Sequence, residues 1–574
     1  MKSKKLILIP AILFILIAVV FAACKKSGVD PIVVTDANGV PVTDENGKQI
    51  EVVPETEIVV VTDENGVPVT DENGKEVTTI RYIPQEVGIP VTDENGNAVK
   101  DENGNVLTTV IVVPSPENTT TDIVVTVPVT DDKGETQTDN SGNVVTETSR
   151  PSLPDNTPSN NLLISKTMSG SGNDKAKASA GTPDGGFVVG YNTASGDGSF
   201  AGAKANAGSG AICKYNKSGK QEWMKIITGS GVIGITDIAV MSDGSIIVSG
   251  ETRASDFISL HGTEYDGFIQ KYSASGDLIF TKGWGGSSNE SFYGVAVGPD
   301  GNIYAAGFAY SQNGDCESLA IPYGKSKAVV VKFDGSGNVL AQAGFGGFGD
   351  YFSDIDINSS GDIFASGMFM SNNEYFSRKG SADGGVFKLK SDLTVAFAKS
   401  WGGTGSESFP GVAATKDGGC VTVGSSNSTD GDLASLGNKG FNDAILVKWN
   451  SDGSIGWTKS FTGSNDERFT DVSVTHEGDI VAVGFSASNT RDFRLIGNLG
   501  GTDAFVVRYS ASGTLISAQG FGGSNKDEFN TVSILSGGQI LAAGSTLSTD
   551  GYFKDLSPKS DGTKTAAMYF CFRI

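Results

Sequence analysis

The chain has little of what metal centres, disulfide frameworks and nucleic-acid surfaces are made from. Two histidines and five cysteines are spread over 574 residues. His261 and His476 sit far apart with no serine or cysteine partner in sequence, so no nucleophilic triad is written in the chain. No pair among Cys213, Cys316, Cys420 and Cys571 has zinc-ligand spacing, and cysteines this scattered do not outline a disulfide framework. Basic residues are outnumbered 43 to 66, a formal net charge of −23 that repels nucleic acid and anionic lipid. Catalytic residues, metal ligands and cofactors are therefore expected to be absent. A long apolar run is missing too: only Leu6 to Val20 is continuous, short of the roughly 20 residues that span a bilayer.

That short run carries an address. Lys2, Lys4 and Lys5 precede it, and Phe21-Ala22-Ala23-Cys24 follows, the layout of a secretory signal. A cysteine directly after Ala-Ala resembles the bacterial lipobox, although Phe21 stands where leucine is usual. The resemblance implies that residues 1–23 are removed and that Cys24 becomes the lipid-bearing first residue. The protein would then be held at the cell membrane on its extracytoplasmic side. Each buried CH₂ adds about 0.8 kcal/mol, so several acyl chains anchor stably where one is marginal. With the three leader lysines gone, 40 basic residues face 66 acidic ones, a net charge of −26.

Residues 24–160 read as a stalk. Aromatics almost vanish from residue 27 onward, and a turn word recurs. Asp36-Ala37-Asn38-Gly39 is followed by Asp-Glu-Asn-Gly beginning at Asp44, Asp63, Asp71, Asp93 and Asp101, with degenerate copies from Asp131 and Asp139. The copies pair eight residues apart. Asn-Gly readily takes positive φ and Val/Thr runs flank it, so each word is expected to turn a hairpin. Strands of three to five residues do not stand alone, which leaves four small β modules or an extended segment. The Asp-rich words raise calcium as a ligand, but they lack the alternating oxygen donors of an EF-hand loop. A solubilising spacer is the simpler reading. Pro151, Pro154 and Pro158 mark a linker.

From residue 161 to 574 the chain repeats itself seven times. Turn glycines stand at Gly185, Gly244, Gly301, Gly361, Gly418, Gly478 and Gly538, spaced by 59, 57, 60, 57, 60 and 60 residues. Within 291–347 four strands are expected, "SFYGVAV", "NIYAAGF", "AVVVKF" and "VLAQAGF", split by Gly/Asp/Asn turns. Four-stranded units of this period indicate a β-propeller. The ends supply a check. "LLISKTMSGSG" (162–172) matches a fourth strand, whereas "AAMYFCFRI" (566–574) matches a third. Pairing the two would close the ring and remove a pair of exposed edges. The predicted fold is all-β: a seven-bladed propeller closed by its termini, after a stalk of short strands.

Words such as "DGNIYAAGF", "DAFVVRYSASG" and "GFGGSNKDEF" resemble the bacterial seven-bladed β-propeller (SBBP-like) repeats of secreted and surface proteins. The resemblance covers about 161–574 and implies an extracellular binding or adhesion scaffold. A large apolar residue near the end of each fourth strand, Met168, Ile227, Trp284, Phe345, Trp401, Phe461 and Phe521, is expected to pack between blades. Two residues before an aromatic stands a carboxylate in Glu290, Asp350, Glu407, Glu467 and Asp527, with Asp174 as the counterpart in the first unit. On an innermost strand these six would crown one mouth of the channel and attract a cation or basic ligand. The alternative is that each caps its own turn. Ligand contacts are expected in the long second-to-third connections, where the copies stop agreeing: Tyr265, Tyr310, Tyr323, Tyr375 and Phe376. The reading is of a lipid-anchored, monomeric surface protein that binds a protein, glycan or wall component without catalysis. An extracytoplasmic glycan hydrolase or lyase using channel-mouth carboxylates, or an envelope scaffold, are the alternatives.

Overall fold

The computed structural model describes residues 162–573, apart from 205–207, 437–440, 495 and 557–562, together with eight short strands between residues 32 and 149. The anchor at Cys24 and the turn words lie outside the described residues. The N-terminal unit pairs Ile32–Val33 with Glu51–Val52, Glu55–Val60 with Thr78–Ile83, Gln85–Pro90 with Thr108–Val113, and Val125–Pro128 with Thr146–Ser149. Each antiparallel pair brackets two turn words. Thr108–Val113 also pairs with Val125–Pro128, so the four expected modules are three sheets among the described strands, two of two strands and one of four.

In the propeller the repeat glycines make the turn between first and second strands. All seven have φ between +74° and +103°, a conformation L side chains adopt only at a cost. The first four-stranded sheet runs Asp174–Gly181, Phe187–Thr193, Ser209–Tyr215 and Gln221–Ile227 in spatial order, and the next five repeat it. In the seventh, Ala566–Phe572 pairs with Leu162–Met168, in register Ala567↔Met168, so the first and last strands of the propeller complete one blade. First strands of successive blades contact one another in a closed cycle that returns from Asp527–Ile534 to Asp174–Gly181. They are the innermost strands and surround a channel. This is a seven-bladed β-propeller.

The packing layer lies between blades. Met168, Ile227, Trp284, Phe345, Trp401, Phe461 and Phe521 are all at most 4 % exposed. Several pack against the aromatic that opens the next innermost strand: Trp284 tilted on Phe292 at 5.2 Å, and Phe345 on Phe352 at 5.7 Å and Phe521 on Phe529 at 5.3 Å edge to face. Burying such a side chain contributes about 1.5–3 kcal/mol, and the arrangement repeats at most boundaries. Short 3-10 turns in the second-to-third connections add buried anchors, Phe200, Leu433, Phe493 and Phe553. Cys213, Cys316, Cys420 and Cys571 are free and buried. No helix among the described residues is long and apolar enough to cross a membrane.

Candidate functional site

Both long connections of a blade, from second to third strand and from fourth strand to the next blade, emerge on one face because the strands alternate in direction. The six repeat carboxylates lie beneath that face, at the start of the innermost strands. They do not line the channel mouth. Each is at most 1 % exposed. Glu290 accepts from the amides of Gly286 (2.7 Å), Tyr310 (3.1 Å) and Ser311 (2.9 Å). Glu407 accepts from the Gly403 amide (2.9 Å) and the Ser426 (2.7 Å) and Ser428 (2.6 Å) hydroxyls. Asp174, Asp350 and Asp527 do the same with Gly170, Gly347 and Gly523 and with Ser195, Ser371 and Ser548. Glu467 holds Ser486 at 3.4 Å. Asp174, Glu290, Asp350, Glu407 and Asp527 thus tie their own two connections together, and the expected cation ring is corrected to a set of internal caps. Burial pushes the carboxyls of Asp174, Glu290, Glu407, Glu467 and Asp527 up, to about 7 for Glu467 and about 6 for Asp527, against the lowering by these donors.

The channel carries a different acidic group, one that the sequence reading missed. Each innermost strand is bulged; in the second blade the register skips from Ile235 to Asp237, leaving Thr236 unpaired. The residue after the bulge is Asp237, Gly294, Asp354, Gly411 and Asp471 in blades two to six, an alternation visible once the repeats are aligned. Each aspartate accepts from its own following amide and from the next blade. Asp237 takes Ile238 N (2.7 Å) and Val295 N (2.8 Å), Asp354 takes Ile355 N (2.7 Å) and Val412 N (2.8 Å), and Asp471 takes Val472 N and Val532 N (both 2.7 Å). Asp356 repeats the clasp to Ala414 N at 2.8 Å. All four line a channel cavity of about 240 Å³. Burial, with repulsion between these carboxylates, pushes Asp237 and Asp471 up to about 7 and Asp354 well above the usual range. No group of three or more His, Cys, Asp or Glu side chains among the described residues converges as metal ligands.

The five loop aromatics separate into three kinds. Phe376 is 4 % exposed and packs on Phe369 (4.9 Å) and Phe387 (5.3 Å), and Tyr375 lies on Phe387 at 5.1 Å. They are anchors of their connection, and a contact role is corrected for Phe376, which the core has taken up. Tyr265 is half-buried beneath the Arg253 guanidinium, 4.6 Å from its ring. Tyr310 meets Phe308 edge-on at 5.5 Å. Tyr323 is 92 % exposed. Phe348, Leu499 and Met370 join it as exposed apolar residues of the same face, none singled out by sequence because each occurs in one blade only.

No protein-family model and no curated protein matches the chain. Among solved structures, the WD40 β-propeller domain of Doa1 is similar at 10 % identity and a TM-score of 0.40, over 71 % of this chain and 96 % of that one. Sqt1 from Chaetomium thermophilum is similar at 8 % identity and a TM-score of 0.39, over 72 % and 99 %. A Bacteroides caccae protein of unknown function is similar at 12 % identity and a TM-score of 0.31, over 61 % of this chain and 94 % of that chain.

Proposed function

We propose that the chain is a lipid-anchored surface protein whose propeller binds a protein or glycan and carries out no chemistry of its own. The observation that carries this reading is the division between ring and loops. Positions shared by the repeats are consumed by turns, caps and inter-blade packing, whereas the loop face exposes Tyr323, Phe348, Met370 and Leu499 in a pattern no two blades share. A rigid frame presenting variable loops is the arrangement on which binding groups concentrate. The non-catalytic part rests on the carboxylates. Those of the repeat are occupied by their own connections, and those of the channel by backbone amides. The test uses the full chain in detergent: saturable retention on a glycan array, or of a purified envelope component, is expected, and competition by a Tyr323→Ala/Phe348→Ala variant should be lost. Absence of any saturable ligand, or turnover of a retained glycan, would sink the reading. The anchor is checked separately by mass spectrometry of the mature N-terminus, where a diacyl- or triacyl-modified Cys24 is expected and an unmodified one refutes it.

A further inference from the structure

We infer that the loop-face mouth of the channel is a binding site for a saccharide bearing a carboxylate, with Lys177 engaging the acid group and Tyr293 and Tyr351 forming the wall on which the sugar stacks. The inference rests on the binding role proposed above and gives it a ligand class.

It starts from the residues left unpaired by the bulges. In the second, sixth and seventh blades the side chain of the bulge residue is used up on the next blade. Thr236 Oγ1 donates to Phe292 O at 2.6 Å, Thr470 Oγ1 to Phe529 O at 2.8 Å, and Asn530 Nδ2 to Ala176 O at 2.9 Å. The first blade breaks this rule. Its bulge residue is Lys177, between the paired Ala176 and Ala178. The acceptor it would use is Ile235 O, but Asn192 Nδ2 already donates there at 2.9 Å while Asn192 Oδ1 accepts from Ile235 N at 2.8 Å. Among the described residues the Lys177 ammonium has neither a hydrogen bond nor an ion pair. It is exposed although its strand is innermost, so the surface it exposes is that of the channel and its mouth. Burial and the neighbouring Lys175 lower its pKa, and the Glu528 carboxylate nearby offsets this only in part.

The third blade breaks the rule in the other direction. Its bulge residue is Tyr293, unpaired between Phe292 and Gly294. The ring meets Tyr351 of the next blade edge-on at 5.9 Å and Phe308 of its own blade at 5.5 Å. Tyr293, Phe308 and Tyr351 remain half-buried, so an aromatic wall stands two blades round from Lys177, its Tyr351 hydroxyl donating to Met368 Sδ at 3.8 Å. Aromatic faces take the C–H face of a pyranose, and the hydroxyls serve a polyhydroxylated ligand better than an aliphatic one. The level below is acidic. Asp237, Asp354, Asp356 and Asp471 offer an anion no positive charge deeper in the channel, so a carboxylate stops at Lys177. The negative surface of the whole chain disfavours polyanions, which leaves a sugar with isolated acid groups.

The experiment measures binding of the full chain in detergent to oligosaccharides bearing glucuronate, galacturonate, mannuronate or sialate, each paired with its carboxyl-reduced counterpart. At least one acid member is expected to bind about tenfold more tightly than its reduced partner, with affinity falling as salt is raised. Lys177→Gln should abolish that difference while leaving the reduced sugar and the melting temperature unchanged. Tyr293→Ala should weaken both members, and Tyr293→Phe, which keeps the ring, should retain most of the affinity. The inference is overturned if no acid member is preferred, or if Lys177→Gln binds the acid as the natural protein does. Binding only of neutral glycans or of a protein overturns it too, while leaving the broader binding role intact.

Discussion

Ala254 shows what the repeat carboxylates are for. Six blades place a serine two residues after the second strand, Ser195, Ser311, Ser371, Ser428, Ser488 and Ser548, and the same six have the carboxylate. The second blade has Ala254 at that position and Ile233 where the acid would stand, both buried in one apolar cluster. Acid and serine are present together or absent together, as expected when replacing both partners of a buried hydrogen bond is tolerated but leaving one behind is costly. Glu407→Ile is therefore expected to destabilise the protein by about 1–3 kcal/mol, and Ser428→Ala added to it to recover part of that loss. Urea unfolding of the two single variants and the double variant measures the coupling, and strict additivity would show that the two are not partners. The pairing was legible in the sequence only in part. Carboxylates recurring before an aromatic stood out, but their serines lie some twenty residues on, and only the blade brings the two ends together.

Strands and turns could be read from the chain because the repeat states each of them seven times, in glycines, Asx words and alternating apolar residues. The bulges could not. An extra residue in an innermost strand does not disturb the alternation enough to be seen, yet it sets which side chains reach the channel and which reach the next blade. Pro410 marks one of them: lacking an N–H, it sits between Ser408 and Gly411 where the ladder skips. The glycines of the alternation have a steric reason. A Cβ on Gly294 would lie 2.9 Å from Asp354 Cα, and one on Gly411 3.0 Å from Asp471 Cα, in both cases backbone of the next blade. The first blade accommodates Ala178 at this position although Asp237 stands at the matching position of the next blade, so the restriction is particular to the two glycine boundaries. Gly294→Ala and Gly411→Ala are each expected to cost about 1–3 kcal/mol by overpacking, whereas Ala178→Gly should cost less than about 1. Chemical denaturation reads this directly, and unchanged midpoints for both glycine variants would mean that the blades part easily.

Pairing of the propeller's first and last strands closes seven blades into a ring, and the molecule's pH response follows from what that closure buries. The channel aspartates Asp237 and Asp471 titrate near 7, as do Glu467 and Asp503 beneath the loop face, with Asp527 near 6, in each case because burial disfavours the charged carboxylate. In an unfolded chain such groups titrate near 4. Between those values the folded protein holds protons that the unfolded chain releases, so stability is fully present below about pH 4 and is lost as pH rises through about 7. Each such proton is worth about 1.4 kcal/mol per pH unit inside that window. Calorimetry from pH 5 to 8 should therefore show the melting temperature falling steadily, against the rise with pH of proteins whose carboxylates are ion-paired. Asp237→Asn with Asp471→Asn should flatten the slope by removing two of these protons. It should also lower the acid plateau, because an amide cannot accept from both Val295 N and Ile238 N, or from both Val532 N and Val472 N, as the carboxyl does. A melting temperature that rises from pH 5 to 8 would show that the backbone amides, and not burial, decide the charge of the channel.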